Sequence, residues 1–413
     1  MNHTKLSELQ SLIKRVSEKS GFYQGKFQKE GILPEDIKTQ EDFQKIPFTT
    51  KEELRQAYPL GLQAVCDEKV VRVHSSSGTT GIPVIIPYTA QDILDWAKMM
   101  KRCYSFAGVT SKDRVQITPG YGLWTAGIGF QAGAEAIGAM ALPMGPGNTE
   151  KQIQMMVDLK TTVLTATSSY ALLLAEEVNR RGIRDQISLH IGIFGSERWG
   201  EKMRSRISSE LGIEIFDIYG LTEVYGPGIS IDCQYHNGLH YWDDYLYFEI
   251  INPETGENLP EGEYGELVIT TLYKEAAPLI RFRTRDLTRL LPGQCPCGSP
   301  FPRHDIIRGR SDDMVKVKGV NIFPAQIDEF LKEVKGASSE YQMIIDHENG
   351  RDTVKLRVES DPGTERAYLE ASLSKRFKTR IGIQVEVEMV EIGGLPRSEK
   401  KTMRILDKRV SAL

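Results

Sequence analysis

Hydrophobic positions change period several times along the chain, and those changes divide it into regions. Near the start, Leu6, Leu9, Leu12, Ile13 and Val16 fall three and four residues apart, the spacing of one apolar helix face. Thr50-Lys51-Glu52-Glu53 reads as a further helix start, with the Thr hydroxyl as cap and Glu53 reaching back. The β-branched runs Val70-Val71-Arg72-Val73 and Val84-Ile85-Ile86 predict two extended segments. Between them Ser75-Ser76-Ser77-Gly78-Thr79-Thr80-Gly81-Ile82-Pro83 predicts a turn. From about residue 110 to 230, short apolar strands (114–117, 163–165 and 190–195) alternate with helical runs. One of these runs opens on a capping signal at Thr149-Glu150-Lys151-Gln152 and places Ile153, Met156 and Val157 on one face. Such alternation implies parallel pairing, with loops at the strand ends available for ligands. After Asp232 strands dominate, at 245–251 and 265–270 around a turn at 252–256. The charged stretch Arg310-Ser311-Asp312-Asp313 marks a domain boundary. Beyond it the pattern gives a strand, a helix (325–334), strands (341–346, 353–359), a helix (365–377) and a strand (384–391). The expected fold is therefore α/β. A large N-terminal domain, residues 1–311, has layered α/β sheets and a β-rich subdomain, and a small α+β domain occupies residues 312–413.

Composition narrows the class. Of 413 residues 40% are hydrophobic and 26% charged, ordinary for a globular enzyme with a large core. A net charge of -4 supplies no basic face, so nucleic acid is not an expected partner. No run approaches the roughly 20 apolar residues of a membrane span, and the first residues lack a signal-peptide core, so no membrane partner and a cytoplasmic location are expected. The five cysteines, an odd number, argue against a disulfide framework, and Cys66 and Cys103 carry no assigned role. Composition fixes no oligomeric state, and a homodimer is the assembly allowed for.

Several stretches carry candidate chemistry. The Ser/Gly/Thr run is either a phosphate cradle of backbone N–H groups and hydroxyls or a polar hairpin tip. It lacks a Gly-Lys-Ser/Thr ending and is not a Walker loop. Tyr219-Gly220-Leu221-Thr222-Glu223 leaves a strand with a ring for a base, a hydroxyl for a phosphate and a carboxylate for a divalent cation, or is an ordinary strand exit. In Arg281-Phe282-Arg283-Thr284-Arg285-Asp286, alternating arginines put cations on one face and Asp286 can accept from sugar hydroxyls, a solvated edge strand being the other reading. Pro396-Arg397-Ser398-Glu399-Lys400-Lys401 taken alone reads as a basic tail. Finally, Cys233, Cys295 and Cys297 with His236 or His240 have the ligand types of a closed Cys₃His zinc site.

The motifs SSSGTTGIP, YGLTE, RFRTRD, GRSDDMVKVKG and PRSEKK, in this order over essentially the whole chain, resemble the adenylate-forming superfamily of acyl-CoA synthetases, adenylation domains and luciferases. Residues 120–127, 147–150, 195–199 and 319–324 are similar to its phenylacetate-CoA ligase branch. The resemblance implies an ATP-dependent, AMP-forming aryl-acid CoA ligase, with phenylacetate the first expected acid and ATP, Mg²⁺ and coenzyme A required. By resemblance, Ser75, Ser76, Ser77, Gly78, Thr79, Thr80 and Gly81 hold the β- and γ-phosphates. Thr222 contacts phosphate, Glu223 holds Mg²⁺, Tyr219 stacks on adenine, Asp286 binds ribose and Arg310 lies beside ribose and phosphate. Gly195, Ser196, Glu197, Asp217 and Gly220 join the ATP/AMP site. Lys401 matches the lysine of adenylation, although Lys400 stands where the pattern has Gly. Asp312 matches a hinge about which the C-terminal domain turns between two half-reactions. Tyr121, Trp124, Ala132, Gly133 and Ala134 lie in the acyl-pocket region, where they either line a flat aromatic pocket or pack a core. The resemblance also prefers His240 to His236 as the fourth zinc ligand. Transfer of the acyl group to an amine or a carrier-protein thiol, or a non-catalytic nucleotide binder, are the alternatives.

Overall fold

The computed structural model describes residues 3–76, 82–197, 199–348, 351–397 and 404–409. Ser77, Gly78, Thr79, Thr80, Gly81, Arg198, Lys400 and Lys401 lie outside the described residues. The chain opens with α1 (His3–Lys19), α2 (Gly21–Glu30), α3 (Gln40–Gln44) and α4 (Lys51–Gln56), then β1 (Val70–Ser75), β2 (Ile85–Thr89) and α5 (Ala90–Phe106). Alternating elements follow: β3 (Arg114–Ile117), α6 (Thr125–Ile137), β4 (Met140–Pro143), α7 (Thr149–Asp158), β5 (Val163–Thr167), α8 (Ser168–Arg181), β6 (Ile191–Gly195) and α9 (Glu201–Leu211). A strand-rich stretch contains β7 (Glu214–Leu221), β8 (Gly226–Asp232), β9 (Leu239–Tyr241), β10 (Leu246–Ile251), β11 (Gly265–Thr271), β12 (Phe282–Thr288), β13 (Leu290–Leu291) and β14 (Arg303–His304). Last come β15 (Gly309–Arg310), β16 (Val315–Val317), β17 (Val320–Ile322), α10 (Pro324–Lys332), β18 (Ala337–Glu348), β19 (Arg351–Ser360), α11 (Arg366–Ile381), β20 (Glu386–Glu391) and β21 (Ile405–Asp407).

Local chemistry explains the boundaries. Thr39, Thr50 and Thr89 each close a reciprocal capping box, at the starts of α3, α4 and α5. The expected box at Thr149 is not the one formed. Asn148 caps α7 from a left-handed conformation, φ 51°, its side chain accepting from Lys151 N, so Thr149 is already helical. Asn adopts that conformation at little cost.

Two compact units are present. The first comprises Met1–Gly145, Thr161–Thr165 and Phe216–Ile307. Here β3 runs parallel to β4 and β5, as the strand–helix alternation predicts. β7, β8, β9, β14 and β13 pair successively antiparallel, and β10, β11 and β12 form an antiparallel meander. Leu9, Leu12, Ile13 and Val16 of α1 pack with Tyr23, Phe27, Leu272 and Ile280 in one buried cluster, which accounts for the helical spacing at the N-terminus.

The second unit comprises Pro146–Lys160, Ala166–Ile215 and Arg308–Leu413. Its long β18–β19 pair is flanked by β20 and β21, both parallel to their neighbours, and Phe330, Met343, Leu356, Leu373 and Phe377 share its core. Within this unit Lys202 of α9 donates to Leu331 O (3.0 Å) and Val334 O (2.9 Å) at the end of α10. Arg397 bridges Glu176 of α8 (2.7 Å) and the fully buried Glu359 of β19 (2.8 Å).

Candidate functional site

In the first unit, β1 and β2 pair antiparallel and present Ser75 and Ser76 at the base of the Ser/Gly/Thr run. Ser75 N donates to Leu123 O (2.8 Å), and Ser76 exchanges two 3.0 Å bonds with Val84. The run is thus rooted on the segment that carries Tyr121 and Trp124. His74 lies buried edge-on to the rings of Tyr88 and Trp96, and burial lowers its pKa to about 4, leaving it neutral.

Thr222 Oγ1 lies 3.2 Å from Thr125 Oγ1. Glu223 is 5% exposed, and its carboxylate pairs with Lys51 Nζ at 2.9 Å. Lys274 is fully buried, donates to Val224 O, and stands 4.4 Å from the Tyr88 ring and 4.9 Å from the Tyr225 ring. Burial lowers its pKa to about 7, against the pull of the Asp92 and Glu223 carboxylates. Sequence reasoning missed both lysines. Lys51 lies inside a capping signal, and Lys274 is a single cation in the mixed run Leu272-Tyr273-Lys274-Glu275-Ala276, so neither stands out by its spacing.

Tyr219 on β7 donates its hydroxyl to Asp286 Oδ2 (2.6 Å), so the base and ribose candidates adjoin. Asp217 lies two residues earlier on the same strand and is half-buried. Gly220 is required by close approach, since a Cβ there would lie 2.1 Å from Gly226 O. The arginine row differs from expectation. Arg281 lies before β12, with φ 47°, and its guanidinium pairs with buried Glu249 (3.1 Å). Arg283 and Arg285 share the buried Glu266 (2.7 and 3.5 Å). Buried carboxylates neutralise all three side chains, because an unpaired cation there is costly.

The acyl-pocket candidates divide. Tyr121 packs so closely on Gly127 that a Cβ there would lie 2.7 Å from its ring. Its buried hydroxyl makes no hydrogen bond among the described residues, and burial raises its pKa. Trp124 is the half-exposed N-cap residue of α6. Gly133 instead meets α5, where a Cβ would lie 2.6 Å from Met100 Cβ and 2.8 Å from the Tyr104 ring, and Ala134 is fully buried while Ala132 is half-buried.

In the second unit, Gly195 ends β6 and Ser196 follows with φ 71°. Glu197 accepts from Ser168 Oγ (3.1 Å) and Ser169 N (2.6 Å) at the start of α8. Arg310 forms a forked pair with Asp312, at 2.8 and 3.0 Å.

The cysteines and one histidine of the first unit converge. The donor atoms of Cys233, His240, Cys295 and Cys297 all lie within 4.8 Å of one another. Cys233 Sγ is 3.6 Å from Cys295 Sγ, and Cys297 Sγ is 3.4 Å from His240 Nε2. For Zn–S bonds of about 2.3 Å a tetrahedron has S···S edges of about 3.8 Å, so the set fits zinc. His240 Nδ1 donates to Phe301 O (2.8 Å), which directs the Nε2 lone pair inward. His236 turns away to Asp232 (2.9 Å).

Residues 2–272 match the family model described as AMP-binding enzyme, and residues 319–409 match the AMP-binding enzyme C-terminal domain. By class the chain is an AMP-binding, adenylate-forming enzyme. More narrowly, it belongs to the phenylacetate-CoA ligase family. It is 43% identical to phenylacetate-coenzyme A ligase of Pseudomonas putida, over 98% of this chain and 94% of the relative. The ligase of that description from Escherichia coli is 42% identical, over 96% and 92%. Among solved structures, 2-hydroxyisobutyryl-CoA ligase in the postadenylation state with 2-HIB-AMP gives a TM-score of 0.88 at 28% identity, covering 98% of this chain and 89% of the other. The same ligase with 2-HIB-AMP and CoA in the thioesterification state gives 0.72 at 28% identity, covering 99% and 91%.

Proposed function

We propose that the protein is an ATP-dependent, AMP-forming phenylacetate-CoA ligase of the cytoplasm. The observation that carries this reading is identity of about two residues in five to phenylacetate-coenzyme A ligases over nearly the whole length of both chains. The adjoining Tyr219–Asp286 and Thr222–Glu223 pairs support it. An acid oxygen attacks the α-phosphorus of ATP, the bond to the β-phosphate oxygen breaks, and pyrophosphate leaves. The thiol sulfur of CoA then attacks the acyl carbon, its proton is lost, and the C–O bond to AMP breaks. Little covalent help is needed in the first step, so charge placement dominates.

Tyr219 and Asp286 hold the adenosine, with Asp217 and Gly220 on the same strand. Ser75 and Ser76 begin the phosphate cradle that continues through Gly81, and Thr222 donates to the phosphate. Glu223 would hold Mg²⁺, whose charge offsets that of the pyrophosphate. Lys51 neutralises the same carboxylate and would give way to the ion. Lys401 serves adenylation, and residues 312–413 turn about Asp312 between half-reactions. Asp312, the hinge residue by resemblance, accepts from Arg310 at 2.8 Å. Tyr121 and Trp124 face the aryl ring. Cys233, His240, Cys295 and Cys297 would hold a structural zinc, which ties three chain segments together. Phenylacetate-dependent exchange of labelled pyrophosphate into ATP tests the reading. Exchange with phenylacetate supports it, and exchange only with a non-aromatic acid overturns it.

A further inference from the structure

The cysteine–histidine cluster and Tyr219 share one run of strands, and Asp286, which Tyr219 bonds, lies on β12 of a separate sheet. Cys233 directly follows β8, His240 lies within β9, and Cys295 and Cys297 lie on the loop leading into β14. β14 is two residues long and pairs with β9 through Arg303↔His240 and His304↔Leu239. β14 also pairs with β13 through Leu290↔His304 and Leu291↔Arg303, but a strand of two residues gains little from its ladders, so the loop before it contributes to where β14 sits. Arg303 adds bonds to Asn237 O (2.7 Å) and Gly293 O (3.2 Å), both on the segments that the cluster joins.

His304 of β14 is fully buried. Its Nδ1 donates to Asp305 O (2.7 Å), and its Nε2 accepts from Ser230 Oγ (2.7 Å) on β8. Ser230 is the cross-strand partner of Tyr219. The His304 ring stands edge-on to the Tyr219 ring, at 5.6 Å between centroids and 70° between planes. Tyr219 in turn bonds Asp286. A fixed imidazole therefore stands between the cluster's strands and the ring expected to stack on adenine.

We propose that the Cys233–His240–Cys295–Cys297 cluster positions the nucleotide site: metal bound there fixes β14, and His304 on β14 sets Tyr219 and Asp286 for the adenosine of ATP and AMP. This rests on the zinc and adenosine readings given above. His304 and Ser230 are positioning residues, touching Tyr219 or its neighbour and not the ligand. Ser75 and Ser76 belong to the separate β1–β2 hairpin and bond Leu123 and Val84, so pyrophosphate binding there is independent of the cluster.

Calorimetric titration of AMP and, separately, pyrophosphate into three proteins tests this: the purified full chain, the chain stripped by a chelator and shown folded by circular dichroism, and Ser230→Ala. The expected result is full zinc content in the purified chain and AMP affinity lowered about tenfold by stripping. Returned Zn²⁺ restores AMP binding, and pyrophosphate binding stays unchanged throughout. Ser230→Ala keeps its metal and loses about threefold in AMP affinity. Equal loss of both ligands on stripping, or unchanged AMP affinity in the folded stripped protein, overturns the proposal. Absence of zinc from the purified protein sinks the metal reading and the proposal with it. Failure of the zinc-loaded protein to bind AMP sinks the adenosine reading instead. If stripping unfolds the chain, Ser230→Ala decides, and unchanged AMP affinity in it counts against the proposal.

Discussion

The cysteine–histidine cluster and the candidate nucleotide residue Tyr219 lie on neighbouring strands, and their surroundings are built in opposite ways. In the cluster, four donor atoms converge on one another within 4.8 Å, and His240 is held with Nε2 turned toward Cys297 Sγ. Among the described residues of the candidate nucleotide site, Tyr219 already has a protein partner in Asp286, Thr222 in Thr125 and Glu223 in Lys51. The first arrangement suits a ligand that arrives once and stays. The second suits ligands that come and go at each turnover, since the displaced partners close over the polar groups between visits. A buried polar group without any partner would cost on the order of 1–3 kcal/mol in the empty state.

That contrast can be broken at several points. The largest effect is expected from Glu223→Gln, which removes the charge that Lys51 pairs with and that Mg²⁺ would share. Phenylacetate-dependent pyrophosphate exchange should fall roughly a hundredfold or more, with AMP binding little changed. Next, Cys295→Ser should take the zinc content of the purified protein from full occupancy to near none and lower its melting temperature. Retention of full zinc would show that the four donors do not act as a closed set.

Lys274→Met probes the buried cation that stands between the Tyr88 and Tyr225 rings. The Lys274 pKa is lowered from 10.5 to about 7 in the folded chain. Between those values the unfolded state binds the extra proton, so this residue makes stability rise with pH across that window. At and below about pH 7 both states are charged and the burial penalty is in full force. Lys274→Met should therefore be most stabilised relative to the parent near and below pH 7, with the gap closing toward pH 10. Chemical denaturation at several pH values measures it, and a pH-independent gap contradicts the assignment.

The smallest effect belongs to the second unit. Glu176→Gln weakens the bond to Arg397 without stranding Glu359, and a loss of about 1 kcal/mol in stability is expected from urea midpoints.

Much of this was legible in the sequence because it depends on local spacing. The α1 face, the capping boxes of α4 and the strands flanking the Ser/Gly/Thr run follow from residues within a few positions of one another. The convergence of Cys233, His240, Cys295 and Cys297 was legible for another reason: thiols and imidazoles are few, so their grouping stands out. Lys51 and Lys274 were not legible, because a lysine's role depends on which carboxylate or carbonyl the fold brings to it. Lys274 meets Val224 from fifty positions away in the chain. The arginines of residues 281–285 misled for the same reason, their partners Glu249 and Glu266 coming from other strands. Gly133 illustrates a related limit. A small residue in a glycine-rich helix suits a pocket or a close helix contact equally, and here it meets Met100 and Tyr104.

The most direct test of the central claim is the assay of a panel of aryl acids for AMP and thioester formation, with and without CoA. The account predicts that phenylacetate leads the panel and that sustained AMP release requires CoA and matches phenylacetyl-CoA formed. AMP release with phenylacetate only when an amine or a carrier-protein thiol replaces CoA would contradict it.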